Sequence, residues 1–253
     1  KLLLILLCLP MIGFGQLTVI PDANFEQTLI NLGYDTPPIN GSVPTANINT
    51  VTHLFVDSLN IADLTGIESF TSLIELDCNT NQLTFLNLSN NIVLEKLNCT
   101  VNQLTTLDLS NNVALLDLRA GYNSIPSLDL SNNILLEILA MSTCAITCPS
   151  TLNQLNVTAN TELISLSLIQ HNISNLDLSN CNKIKYLNLT GNPLGSVNVT
   201  NLYQLEQLGV SSCSLSTLSV SNNQFLQTLY CAGNQLSSLD LSNNTKLTTL
   251  WCN

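Results

Sequence analysis

Nine cysteines and two histidines are the residues of this 253-residue chain best suited to metal, redox or nucleophilic chemistry. Paired thiolates two residues apart open most structural zinc sites, and no C-x-x-C pair occurs. Cys78, Cys99, Cys231 and Cys252 instead hold equivalent places in a unit that recurs every 21 residues. Cys144 and Cys213 share a second place, filled elsewhere by asparagine. His171 stands there too, where a ring nitrogen can replace part of an amide's hydrogen bonding. His53 has no Ser or Cys partner in a catalytic arrangement, and paired acidic motifs and phosphate loops are absent from the sequence. We therefore expect a chain that is not an enzyme, with no catalytic residue, no metal and no cofactor. Adjacent cysteines such as Cys78 and Cys99 would sit about 4.8 Å apart at Cα, inside the disulfide window. Their side chains would run parallel, so buried free thiols are expected, with Cys148 and Cys181 the exposed ones. Asp108, Asp129, Asp177 and Asp240 recur before Ser-Asn or Ser-Asn-Asn. They could chelate calcium, but turn bonding explains them as well.

The elements that must position these residues follow from the repeat. Leu73 to Val93 reads LIELDCNTNQLTFLNLSNNIV and matches Leu94 to Ala114 at nearly every apolar and asparagine place. Such a period signals a solenoid. Ten coils start at Val51, Leu73, Leu94, Leu115, Leu136, Leu163, Ile184, Leu205, Leu226 and Leu247. One interval is 27 residues, and its extra residues, around Cys148-Pro149-Ser150-Thr151, should loop out without breaking the stack. Counting the first leucine as offset 0, offsets 3 and 5 alternate with polar residues, the period of a strand. Stacking pairs these strands into a parallel sheet. The offset-8 residues (Asn81, Asn102, Asn123, Cys144, His171, Asn192, Cys213 and Asn234) end the strand. Their side chains can bond backbone groups freed by the turn, coil to coil. Leucines at offsets 10, 13 and 15 fill the core from the far side.

These residues resemble the leucine-rich repeat family, whose strand motif is L-x-x-L-x-L-x-x-N/C-x-L, over about 200 residues. The unit length, with L-D-L-S-N-N in the second half, is similar to a bacterial subclass. IPDANF and LTGIESF resemble secreted Bacteroidetes-type repeat proteins and, distantly, internalins. The resemblance implies an α/β-type repeat solenoid, right-handed, with a parallel sheet on its concave face. It also implies an extended or irregular convex side, a short N-terminal cap helix and a role in protein interaction or adhesion.

The remaining segments serve that solenoid. Residues 1–15, with Lys1, an apolar core and Gly13 and Gly15, have the form of a secretory signal peptide cleaved near Gly15. It is too short to span a bilayer, and no transmembrane segment is expected in the mature chain. Residues 16–50 are expected to cap the first coil, with a helix at about 22–32 that opens on Asp22 and is followed by a loop. Residues 51–253 form the coils. With six basic residues and a net charge of −11, nucleic acid is not an expected partner. The outward offsets 2, 4 and 6 are left for a protein or glycan ligand, from Glu75, Asp77, Lys96, Asn98, Asp117 and Arg119 at one end to Tyr186, Asn188, Tyr230 and Trp251 at the other. We expect a secreted or cell-surface interaction module. The alternative is a spacer within a larger surface protein.

Overall fold

The computed structural model describes residues 15–143 and 152–253. A two-stranded antiparallel ribbon, β1 (Leu17–Val19) on β2 (Ser42–Pro44), brackets helix α1 (Ala23–Asn31). A short helix α2 (Thr45–Ile48) then leads into the coils. Each coil contributes a three-residue strand: β3 (His53–Phe55), β4 (Glu75–Asp77), β5 (Lys96–Asn98), β6 (Asp117–Arg119) and β7 (Ile138–Ala140). They continue as β8 (Ser165–Ser167), β9 (Tyr186–Asn188), β10 (Gln207–Gly209), β11 (Thr228–Tyr230) and β12 (Thr249–Trp251). All ten lie in one parallel sheet in strict sequence order, as a leucine-rich repeat solenoid requires. The long interval leaves the register intact, since Ile138 still pairs with Ser165. The inserted segment itself, with Cys144 and Cys148, lies outside the described residues, as do residues 1–14 of the expected leader.

The strands are short for a backbone reason. The offset-7 residue takes a left-handed conformation in coil after coil, as at Thr80 (φ 54°), Val101 (φ 56°), Gln170 (φ 65°) and Gly191 (φ 78°). That conformation turns the chain out of the sheet plane, and a β-branched residue such as Val101 adopts it at a cost. The inward side chains then stack into one core running the length of the molecule: in the coil from Leu94, Leu97, Cys99, Leu104, Leu107 and Leu109 are all buried. A column of this kind is stable only through its neighbours.

The first coil's open end is covered by the N-terminal segment. Phe25 and Leu29 of α1 are fully buried, and the Phe25 ring lies 6.3 Å from that of Phe70. Asp22 is the helix N-cap: Oδ1 accepts the Asn24 and Phe25 N–H groups, and Oδ2 accepts those of Ala62 and Asp63. Buried Glu26 accepts the N–H groups of Asn40 and Gly41, holding the following loop onto the helix. Gly66, at φ 103°, lets the first coil approach the ribbon, since a Cβ there would meet Ile20 Cδ1 at 2.4 Å. Among the described residues no helix is long and apolar enough to cross a membrane.

Candidate binding face

The in-register sheet turns the outward offsets 2 and 4 into continuous rows. One row runs Glu75, Lys96, Asp117, Ile138, Ser165, Tyr186, Gln207, Thr228 and Thr249. The next runs Phe55, Asp77, Asn98, Arg119, Ala140, Ser167, Asn188, Gly209, Tyr230 and Trp251. Glu75, Asp77, Lys96, Asn98, Asp117 and Arg119 come together around a depression of about 270 Å³. Its charges are largely matched within the chain. The Arg119 guanidinium donates to both Asp117 oxygens, at 3.1 Å from Nε to Oδ1 and from Nη2 to Oδ2, and that carboxylate raises its pKa. Lys96 Nζ lies 3.9 Å from Glu75, and Asp77 accepts from the Asn79 side chain at 2.6 Å and that of Asn98 at 3.1 Å. Such exposed pairs stabilise little by themselves, leaving the groups free to exchange partners.

His53 meets Glu75 at 3.9 Å through Nε2 and the Thr52 hydroxyl at 2.9 Å through Nδ1. A hydroxyl, imidazole and carboxylate in that order suggest nucleophilic chemistry. However, 3.9 Å is beyond hydrogen-bond range, so the carboxylate does not orient the ring. Among the described residues no group of three or more His, Cys, Asp or Glu side chains could hold a metal ion. Asp108, Asp129, Asp177 and Asp240 each accept the backbone N–H two residues on, which lowers their pKa.

At the other end Tyr186, Tyr230 and Trp251 do not form one cluster. Tyr230 and Trp251 touch edge to face, with centroids 6.1 Å apart at 70°. Tyr186 lies in the other row, its hydroxyl 3.4 Å from Glu206. Between Tyr186 and Tyr230 a hollow of about 150 Å³ opens, lined also by Ser165, Ser167, Asn188, Gln207 and Gly209. Gly209 itself is buried, because the Asn188 amide fills the space a Cβ would take, its Oδ1 lying 2.6 Å from that position. Sequence reasoning had not singled out Gly209, nor the exposed Phe55 beside Asp77. The missing side chain at offset 4 was the available signal for the first.

The offset-8 side chains bridge coils. Asn102 Nδ2 donates to the Cys78 and Cys99 carbonyls while Oδ1 accepts the Leu83 N–H. Asn81, Asn123, Asn192 and Asn234 repeat the pattern. Cys213 Sγ reaches the Leu189 carbonyl at 3.2 Å, and His171 accepts the Leu152 N–H at Nδ1 and meets the Met141 carbonyl through Nε2. Cys144 lies outside the described residues. A second column at offset 18 escaped the sequence reading. Asn112 Nδ2 donates to the carbonyls of Leu88 and Asn91, and Asn91, Asn133, Asn160, Asn223 and Asn244 act alike.

This column corrects one expectation. Cys181 is not exposed: it occupies an offset-18 slot, buried, with Sγ 3.5 Å from the Val157 carbonyl. Cys252, expected to point into the core, is exposed. The six cysteines among the described residues are free thiols.

Neither protein-family models nor curated protein sequences give a match. Solved structures do. The chain is similar to the functional domain of InlJ from Listeria monocytogenes, described as including a cysteine ladder, with 28% identity, a TM-score of 0.56 and coverage of 94% of this chain and 62% of that one. It thus spans about three-fifths of that relative's length. Similarity to the internalin InlF of the same species gives 23% identity and a TM-score of 0.74, over 92% of this chain and 76% of that one. The Arabidopsis receptor kinase HAESA ectodomain, solved with an IDA peptide hormone, gives 21% and 0.57 over 73% of this chain and 34% of that one. The fold is that of an internalin-like leucine-rich repeat solenoid.

Proposed function

We propose that this chain is an extracellular binding module that holds a protein or glycan ligand on the outward face of its sheet. The observation that carries the reading is the division of labour along each coil. Inward offsets repeat Leu, Cys or Asn, whereas offsets 2, 4 and 6 change from coil to coil and lie in uninterrupted rows. A surface so built varies its chemistry without touching the core. The peptide-holding HAESA ectodomain supports the reading by analogy of fold. A secreted or cell-surface location fits the leader-like first residues. A net charge of −11 disfavours nucleic acid as the partner.

The test is a screen of the whole chain on arrays of purified extracellular proteins and glycans. A ligand found there should lose at least about tenfold affinity on Lys96→Ala/Arg119→Ala or on Tyr186→Ala/Tyr230→Ala, as residues at the centre of an interface do. It should keep its affinity on Phe85→Ala and Val113→Ala, which lie away from the sheet. A ligand indifferent to both face variants would refute the reading. The internal pairing of Arg119 with Asp117 favours one alternative, a spacer within a larger surface protein, in which the face binds nothing.

A further inference from the structure

From Ile138 to Asn253 no residue at an outward offset of the sheet carries a charge. Charged residues are confined to the other end of the face, around Glu75, Lys96 and Arg119. The uncharged half is not apolar either: it combines tyrosine and tryptophan rings with amides and hydroxyls. We propose that a neutral oligosaccharide lies along this half of the face, with one sugar ring seated beside the Asn188 amide between Tyr186 and Tyr230. The inference rests on the binding-face reading and names the ligand for one part of it.

The chemistry matches group by group. A pyranose ring presents C–H groups on its faces and hydroxyls around its rim. Aromatic rings take the former, and Tyr and Trp also carry a polar edge for the latter. Asn188 uses Oδ1 to accept the Thr190 N–H, while its Nδ2 donates to no other described group. The Gln207 side chain is exposed in the same hollow and has no partner among the described residues. An anionic ligand would meet the Glu206 carboxylate, 3.4 Å from the Tyr186 hydroxyl, and an apolar one would leave these amides facing it unpaired. Size narrows the choice further. The hollow of about 150 Å³ is smaller than the roughly 300–1,000 Å³ that encloses a small molecule. Its occupant must therefore extend beyond it along the face, as a chain of sugar rings does and a free monosaccharide does not. Tyr230 packs against Trp251 one coil further on, which continues the aromatic surface in that direction.

The chain has a single tryptophan, Trp251, so binding can be followed by its fluorescence. The probes are neutral hexasaccharides of the glucan, mannan and chitin types and, for comparison, hexauronates, each titrated into the full chain at about 50 and about 500 mM NaCl. At least one neutral hexasaccharide should bind with little change between the two salts, and the hexauronates should not. Tyr186→Ala/Tyr230→Ala and, separately, Gly209→Val, which displaces the Asn188 amide, should each weaken binding at least about tenfold. Phe85→Ala and Val113→Ala, exposed away from the sheet, should leave it unchanged. The tyrosine pair keeps the test decisive if Gly209→Val fails to fold. Absence of any neutral binder, binding of hexauronates alone, or full affinity in the tyrosine variant would each overturn the inference. A protein ligand lost with Lys96→Ala/Arg119→Ala, together with no glycan binding, would overturn it and leave the binding-face reading standing.

Discussion

In the slot where Asn192 donates one amide to two carbonyls and accepts the Ile173 N–H, His171 must do the same work with two ring nitrogens. Nδ1 accepts the Leu152 N–H, so the proton of the neutral ring sits on Nε2, against the Met141 carbonyl. A protonated ring would turn Nδ1 into a donor facing another donor. Burial lowers the His171 pKa below its ordinary 6.5. Between the folded and unfolded values the unfolded chain binds more protons, so stability rises with pH across that window. This contribution is complete above about pH 6.5 and is lost as pH falls towards the folded value. His171→Asn should therefore narrow the gap between urea midpoints at about pH 7.5 and about pH 5.5, and an unchanged gap would reject the account. The cysteines obey the same physics in the other direction. Burial pushes the Cys99 thiol up to about 12 and that of Cys181 to about 11, which suppresses the reactive thiolate. Iodoacetamide at about pH 8 should modify Cys252 in the folded chain and spare Cys78, Cys99, Cys181, Cys213 and Cys231, as read by peptide mapping.

At the level of elements, the apolar period was plain in the sequence because leucine at offsets 0, 3, 10, 13 and 15 has one destination, the core. The asparagines were less legible. In Ser110-Asn111-Asn112 both amides look alike on paper, yet Asn111 donates to the Ser89 carbonyl at the surface and Asn112 to two carbonyls inside. Only the rotation of the coil between neighbouring residues separates them, and the place of Cys181 depends on the same rotation. Part of the candidate face was hidden for a similar reason: Gly209 among polar letters does not announce that the Asn188 amide of the coil before lies over it. The N-terminal helix shows both sides. Asp22 reads as an N-cap from its type, but no pattern reveals that its second oxygen holds Ala62 and Asp63. Asp22→Ala should cost about 1–2 kcal/mol at the cap alone. It should also speed amide exchange at Ala62 and Asp63, some forty residues away, at 2.8 and 3.1 Å from the carboxylate at present. Exchange that rises only within α1 would mean that the carboxylate caps the helix without fastening the coil.

For the whole molecule, stability should be graded along the stack, because each coil borrows its core from the coils beside it. The first coil is closed by Phe25 and Leu29, both fully buried. At the other end of the described residues Leu236, Leu239, Leu241 and Leu247 are only partly buried, and Leu250 is 41% exposed. Local opening is easiest where apolar contacts are fewest. Native-state hydrogen exchange of this chain should therefore be slow at the Cys99 N–H, which donates to the Arg119 carbonyl, and fast at the Cys231 N–H, which donates to that of Trp251. Unfolding followed at Trp251 should precede loss of the β-sheet circular dichroism, since a stack of coupled units need not melt as one. Coincident transitions, or equal protection at both amides, would show that the coils open together and that the loose packing around Leu250 carries no energetic consequence. The gradient bears on binding as well. A ligand lying across β9 to β11 would tie a weakly held end to the well-packed middle, and should slow exchange at the Cys231 N–H more than at the Cys99 N–H.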